Sequence, residues 1–130
     1  MKTFEFRIWN GECSFLLEML DALAGRIERY MDLLSTRQKL VASNIANADT
    51  PGYRTKDIDF QFEFMSQVDG LSPDVREVAG LQVKNDGNDV SMDRETRLLA
   101  ENTIRFNAAA AMLKSQSRMV RSAIQEGKSS

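Results

Sequence analysis

Residues 42–53 read Ala42-Ser43-Asn44-Ile45-Ala46-Asn47-Ala48-Asp49-Thr50-Pro51-Gly52-Tyr53. This stretch stops a long amphipathic helix and turns the chain. Thr50 precedes Pro51 and is pushed out of the helical region. Pro51 and Gly52 suit the two central positions of a type II turn, where Gly supplies the positive φ. Asn44 and Asn47 share a helix face, three residues apart. Asn competes for backbone partners inside a helix, so two of them before a stop predict side-chain hydrogen bonds that fix the helix end.

Upstream, Ile27, Leu34, Val41 and Ala48 recur every seven residues, with Met31, Gln38 and Ile45 interleaved. Only Gln38 breaks the apolar stripe. This seam predicts a helix over 20–46, about 40 Å long at ~1.5 Å per residue. Residues 1–18 mix Phe4, Phe6, Ile8 and Trp9 with Gly11 and Cys13 without that rhythm. They read as an extension ahead of a native-like start at Met19.

Downstream, Ile58, Phe60, Phe62 and Phe64 alternate with Asp59, Gln61 and Glu63, a period of two that predicts a half-buried strand. Asp57 and Asp59 then fall on one polar face of that strand. Turn clusters follow at Asp69-Gly70 through Ser72-Pro73 and at Asp86-Gly87-Asn88-Asp89, with Leu81 and Val83 between them as a second short strand. Ser91 is the predicted N-cap of a final helix, with Asp93 and Glu95 favouring its dipole. Within it Met92, Leu99, Phe106, Leu113 and Val120 recur at sevens, flanked by smaller Thr103, Ala110 and Ser117 and by Ile124. The helix over 92–124 spans about 50 Å at ~1.5 Å per residue. The expected fold is mostly α. Two long helices, at 19–53 with the turn and at 91–130, form a coiled-coil hairpin around a short β-hairpin and loop region at 54–90.

The string Asn44 to Tyr53 resembles a signature of bacterial flagellar rod and hook proteins. Asp57-Ile58-Asp59-Phe60 and the segment from Gly87-Asn88-Asp89-Val90 through Arg121-Ser122-Ala123-Ile124 resemble the short proximal-rod members of that family. Asp89 stands where a second Asn is usual there, Ser91 where an acid is common and Phe106 where Tyr is frequent. The resemblance implies a structural subunit of the basal-body rod in the periplasm, exported through the flagellar type III apparatus without a cleaved signal peptide. It implies assembly into a helical rod that transmits torque and lines the export channel. The implied partners are other rod subunits, the rod–export-gate adaptor, the surrounding membrane-ring protein and the export apparatus. Leu34, Val41, Ile45, Leu99, Phe106, Leu113 and Val120 are the expected packing residues of the assembly. Asn44, Ile45, Ala46, Asn47, Thr50, Pro51, Gly52 and Tyr53 are the expected motif.

Composition narrows the alternatives. The 130 residues contain no His and one Cys, which removes the commonest general base, the commonest metal ligand and any internal disulfide. No catalytic, cofactor or metal site is predicted. The Asp86–Asp89 run lacks the spaced ligands of a calcium loop. No apolar run approaches the length of a membrane span, and the first residues lack signal-peptide features. Arginines spread along the last helix of an acidic chain, without aromatic interleaving, argue against nucleic acid; they suit solvated faces or ion pairs between subunits. Residues 57–95 carry 10 acids and 3 bases, whereas 96–130 carry 2 acids and 6 bases, a segregation that suits either the steering of subunits together or a plain solvated acidic loop in the middle. Ile104, Met112, Met119 and Leu98 lie off the seam and are expected to stay exposed in a lone hairpin, which points to assembly and to helices ordered by it. The alternative is a cytoplasmic helical adaptor or export chaperone that folds as a discrete dimer.

Overall fold

A computed structural model describes residues 2–66 and 72–128, with side chains from Ser14 onward to Glu126. Two helices carry the molecule. α1 spans Lys2–Ala46 and α3 spans Met92–Lys128. They pack against each other as an antiparallel pair, and a small region between them leans on α1. That region holds β1 (Lys56–Ile58), α2 (Phe60–Met65) and β2 (Val75–Glu77). The two prolines, Pro51 and Pro73, both lie outside the helices, as expected of residues that break a helix interior.

At 45 residues, α1 is about 68 Å long at ~1.5 Å per residue. It runs unbroken through residues 2–18, which lack a periodic apolar face. Periodicity reports a face that is buried, not helicity itself. Phe15, Leu16, Leu17 and Met19 are all more than half exposed, so between Ser14 and Met19, where side chains are described, packing imposes no pattern. The apolar side chains before Ser14 and the Asp69-Gly70 turn lie outside the described residues.

The α1 seam is buried at Ile27, Leu34 and Val41, joined by Leu33. On α3 the most buried line is Glu95, Leu98, Asn102, Ala109 and Gln116. This line lies between the two predicted rows: Leu98 is one residue from Leu99, and Asn102, Ala109 and Gln116 are each one residue before the companion positions Thr103, Ala110 and Ser117. Leu98, expected to be exposed, is in the interface. Leu99, Leu113 and Val120 flank it half-buried, and Phe106 and Met92 face outward. The reason is polar pairing. Glu95, Asn102 and Gln116 carry hydrogen bonds across the helices and so occupy positions that an apolar pattern passes over. Asn102 Nδ2 donates to Gln38 Oε1 at 3.4 Å; the one break in the α1 stripe is thus a partner. Gln116 donates to the Leu20 carbonyl.

The predicted aromatic strand is only partly a strand. β1 ends at Ile58, and Phe60 begins a helix. Asp59 caps α2, its side chain accepting from the Phe62 amide at 3.1 Å. Phe60 and Phe64, one helical turn apart, both pack edge-on against Tyr30 of α1, with ring centroids 5.3 and 5.4 Å away. A spacing of four serves a helix as well as it serves period two, and the cap decides for the helix. Phe62, between them, is left exposed. The partner of β1 is Val75–Glu77, antiparallel with Ile58 opposite Val75, whereas the expected strand at Leu81 and Val83 is irregular chain. The buried carboxylate of Glu63 sets this pairing by accepting from the Asp74 amide at 3.0 Å.

Candidate functional site

The stop of α1 is built from two distant pieces of sequence. Locally, the Asn47 side chain donates to the Ser43 carbonyl at 2.8 Å and accepts from the Thr50 hydroxyl at 3.2 Å. The Tyr53 amide closes the Thr50-Pro51-Gly52-Tyr53 turn on the Thr50 carbonyl at 3.2 Å, and Gly52 takes φ 72°. From 38 residues or more downstream comes Asn88, whose amide nitrogen donates to the Asn47 and Thr50 carbonyls at 2.9 and 2.8 Å. Both carbonyls already accept a turn amide, from Thr50 and Tyr53 respectively, so Asn88 adds a second bond to each and clamps the turn from outside. The Gly52 amide in turn donates to the Asp86 carbonyl at 3.0 Å. Gly87, with φ 83°, lets its loop approach close to Gly52. The two motifs singled out in sequence therefore interlock as one structure.

Asn44 reaches the other way. Its side chain donates to the Lys56 carbonyl at 2.8 Å and to Glu95 Oε2 at 3.0 Å. It accepts from the Lys56 amide at 3.0 Å and the Tyr53 hydroxyl at 3.2 Å. A fully buried amide with both donors and both acceptors in use is rigidly placed. It ties α1, β1 and α3 at one point. Ile45 beside it is half-buried, Ala46 is exposed, and Pro51 and Gly52 sit on the surface.

Around Asn44 lies an ionic cluster that the sequence patterns did not reveal. Arg37 grips Asp57 with two parallel bonds, Nε to Oδ1 at 3.0 Å and Nη2 to Oδ2 at 2.9 Å. Arg94 reaches Asp57 Oδ2 at 2.6 Å and also bonds Glu95 Oε1. Two cations face two carboxylates, so the cluster carries no net charge. Fork-on-carboxylate geometry of this kind is both strong and directional. Asp57 is thus no member of a polar solvent face; it is buried, and only Asp59 is exposed. Arg94 is likewise an internal partner rather than a solvated or inter-subunit charge. Burial pushes the Asp57 carboxyl up, but Arg37, the Ile58 amide and Arg94 outweigh it and hold the pKa below its ordinary value.

Asp89, in the irregular chain just before α3, behaves similarly beside the start of β1. Its Oδ1 accepts from the Thr55 amide at 2.6 Å and hydroxyl at 2.8 Å, and Arg54 lies 3.3 Å from Oδ2. Burial raises its pKa, yet the two Thr55 bonds and the Arg54 charge leave it lowered. Arg54 supplies the cation that a carboxylate needs where an amide would not. The signals for this second cluster were the charged residues next to each motif, at 54, 57, 89, 94 and 95. Those at 57, 89, 94 and 95 point inward, with Arg54 reaching in from the surface, which neither periodicity nor charge counting detects.

At the far end of the pair the surface changes character. Ile104, a third of the way along α3, is 69% exposed, and toward the far end Phe15 is 62%, Met112 57% and Met119 58% exposed. Among the described residues there is no group of His, Cys, Asp and Glu that could hold a metal ion, and no helix is long and apolar enough to cross a membrane. The arrangement is therefore a rigid joint bearing two long helices with uncovered apolar sides.

Comparison with known proteins agrees with this geometry. A family model described as flagella basal body rod protein matches residues 31–54, the end of α1 and its turn. The flagellar basal body rod protein FlgB of Proteus mirabilis (strain HI4320) is 31% identical over 137 residues, covering 84% of this chain and all of the relative. FlgB of Escherichia coli (strain K12) is 30% identical, with 86% of this chain and 99% of the relative covered. FlgB of Salmonella typhimurium (strain LT2) matches at 30% over the same shares. With a fused motif at the end of α1 and likeness along nearly the whole length of its relatives, the chain belongs to the FlgB family of flagellar basal-body rod proteins.

Proposed function

We propose that this chain is a structural, non-catalytic subunit of the proximal rod in the periplasm, and that α1 and α3 are the surfaces through which it assembles. The observation that carries this reading is the contrast within one helix pair. The end near the joint is internally paired, whereas the far end leaves large apolar side chains uncovered on both helices. Patches of that kind mark interfaces. In the rod, Leu34, Val41 and Ile45 on α1 and Leu99, Phe106, Leu113 and Val120 on α3 pack the helices within and between subunits. The Asn44–Tyr53 motif holds the angle at which α1 hands over to the middle region. A tube of such helices transmits torque through many interlocked contacts and encloses the export channel. Its partners are other rod subunits, the rod–export-gate adaptor, the membrane-ring protein and the export apparatus, through which the chain passes without a cleaved signal peptide.

The test is complementation. In a strain lacking its own proximal-rod subunit of this family, the chain is expected to restore rods in isolated basal bodies and swimming in soft agar. A chain that accumulates in the cytoplasm as a discrete, cooperatively melting dimer, and never enters basal bodies, would instead make it an adaptor or chaperone.

A further inference from the structure

On one side of the helix pair runs a groove lined by Leu34, Lys39, Asn102 and Phe106, which continues past Asn107 to Ala111 and Lys114. No acidic side chain lines it. Asn102 is 2% exposed, and its Oδ1 is buried with no hydrogen-bond partner. An unpaired buried carbonyl oxygen is costly, and this one belongs to a residue of the groove wall. The groove thus offers an apolar floor, two lysines and a vacant acceptor.

The first half of α1 has the opposite character. Between Arg7 and Arg26 the chain carries Glu12, Glu18 and Asp21 and no basic residue. Phe15, Leu16, Met19 and Leu23 of this stretch are exposed. At ~100° per residue they form a single apolar stripe, flanked by the acids. Ser14 at its head supplies a hydroxyl donor.

We infer that the Lys39–Asn102–Lys114 groove receives the Phe15–Leu23 segment of α1 from a second copy of this chain, head to tail. The inference rests on the rod-subunit reading and deepens it by naming one contact. Donor and acceptor surfaces lie on different parts of the molecule, so the contact is heterologous and adds copies without closing. Lys39 and Lys114, about 20–25 Å apart along the groove by the helix register, bracket the segment and attract the Glu18–Asp21 charge between them, while Phe15 and Met19 cover the floor beside Phe106.

All four charged residues are exposed, so reversing them leaves the fold intact, which far-ultraviolet circular dichroism checks. In sedimentation of the full chain at low salt, the native protein associates in open-ended fashion. Lys39→Glu with Lys114→Glu, and separately Glu18→Lys with Asp21→Lys, each raise the dissociation constant roughly tenfold or more by turning attraction into repulsion. Mixing the two variants restores association, because each groove then meets an oppositely charged segment. A covalent check uses Met19→Cys with Asn107→Cys on a Cys13→Ser background. Within one copy these sites lie about 14 Å apart, since Gln116 is level with Leu20 and nine residues of helix rise ~1.5 Å each. Oxidation therefore gives a ladder of linked copies. A native chain that stays monomeric, single variants that associate like the native one, a mixture that fails to recover, or absence of the ladder each overturns the groove contact. Complementation by the native chain reads the rod function separately: swimming restored without the ladder sinks the groove alone, and swimming lost sinks the rod reading.

Discussion

Asn44 is the residue on which the joint depends most, because one side chain holds partners from three elements. Asn44→Ala leaves the Lys56 amide and carbonyl and the Glu95 carboxylate without it, and is expected to cost ~2–3 kcal/mol in urea unfolding. Asn44→Asp brings a second carboxylate against Glu95 and is expected to cost more. Gly87 is constrained by conformation rather than contact. A Cβ there meets Gly52 only at 3.5 Å, ordinary packing, but the φ of 83° disfavours any L side chain. Gly87→Ala is expected to lose about 1–2 kcal/mol, by the same measurement. Asp57 and Asp89 both have lowered pKa values in the folded chain. The unfolded chain therefore binds their protons first, and stability rises with pH through that window. Their contribution is complete above about pH 5 and is lost as pH falls below the unfolded value of ~3.9 through the folded ones. Circular dichroism of the isolated protein at decreasing pH checks this, and equal midpoints at pH 3 and 6 would contradict it.

At the scale of elements, burial divides the two helices into an inner and an outer half. Leu34 is 1% exposed, so Leu34→Ala is expected to destabilise the isolated protein by ~2–4 kcal/mol. Leu113 is half-buried. Leu113→Ala is expected to change the isolated protein's melting little while reducing swimming, as the proposed packing of this residue between subunits requires. A large drop in melting temperature for Leu113→Ala would mean the helix pair is self-sufficient. The long helices were legible in sequence because their apolar rows recur at sevens and Pro51 ends the first. The turn was legible because Thr50-Pro51-Gly52 leaves the backbone few options. The true α3 row was not, since Glu95, Asn102 and Gln116 are buried by pairing rather than by apolarity. Phe60 and Phe64 misled for a different reason: their spacing suits both periods, and only the Asp59 cap breaks the tie. The ionic cluster was illegible because Arg37, Asp57 and Arg94 are far apart in sequence, and charge alone reads as surface.

For the whole molecule, stability is expected to fall away from the joint. Amide exchange on the full chain should be slowest around 33–45, 55–58 and 88–102, where buried contacts and the ionic cluster concentrate. It should be fastest over 14–23 and 117–126, whose side chains are mostly exposed; such gradients follow local contact density. Uniform protection along both helices would require partners or packing that the chain alone does not provide.

The stop of α1 carries a consequence in time. Asn88 completes a helix end that lies about forty positions earlier, and Glu95 completes the bonding of Asn44. A chain that emerges N-terminus first, from a ribosome or through a narrow conduit, thus presents α1 with only its local turn in place. Until the segment around 86–95 arrives, that turn lacks the Asn88 clamp and Asn44 lacks Glu95. The helix end is set early and locked late, by the last third of the polypeptide.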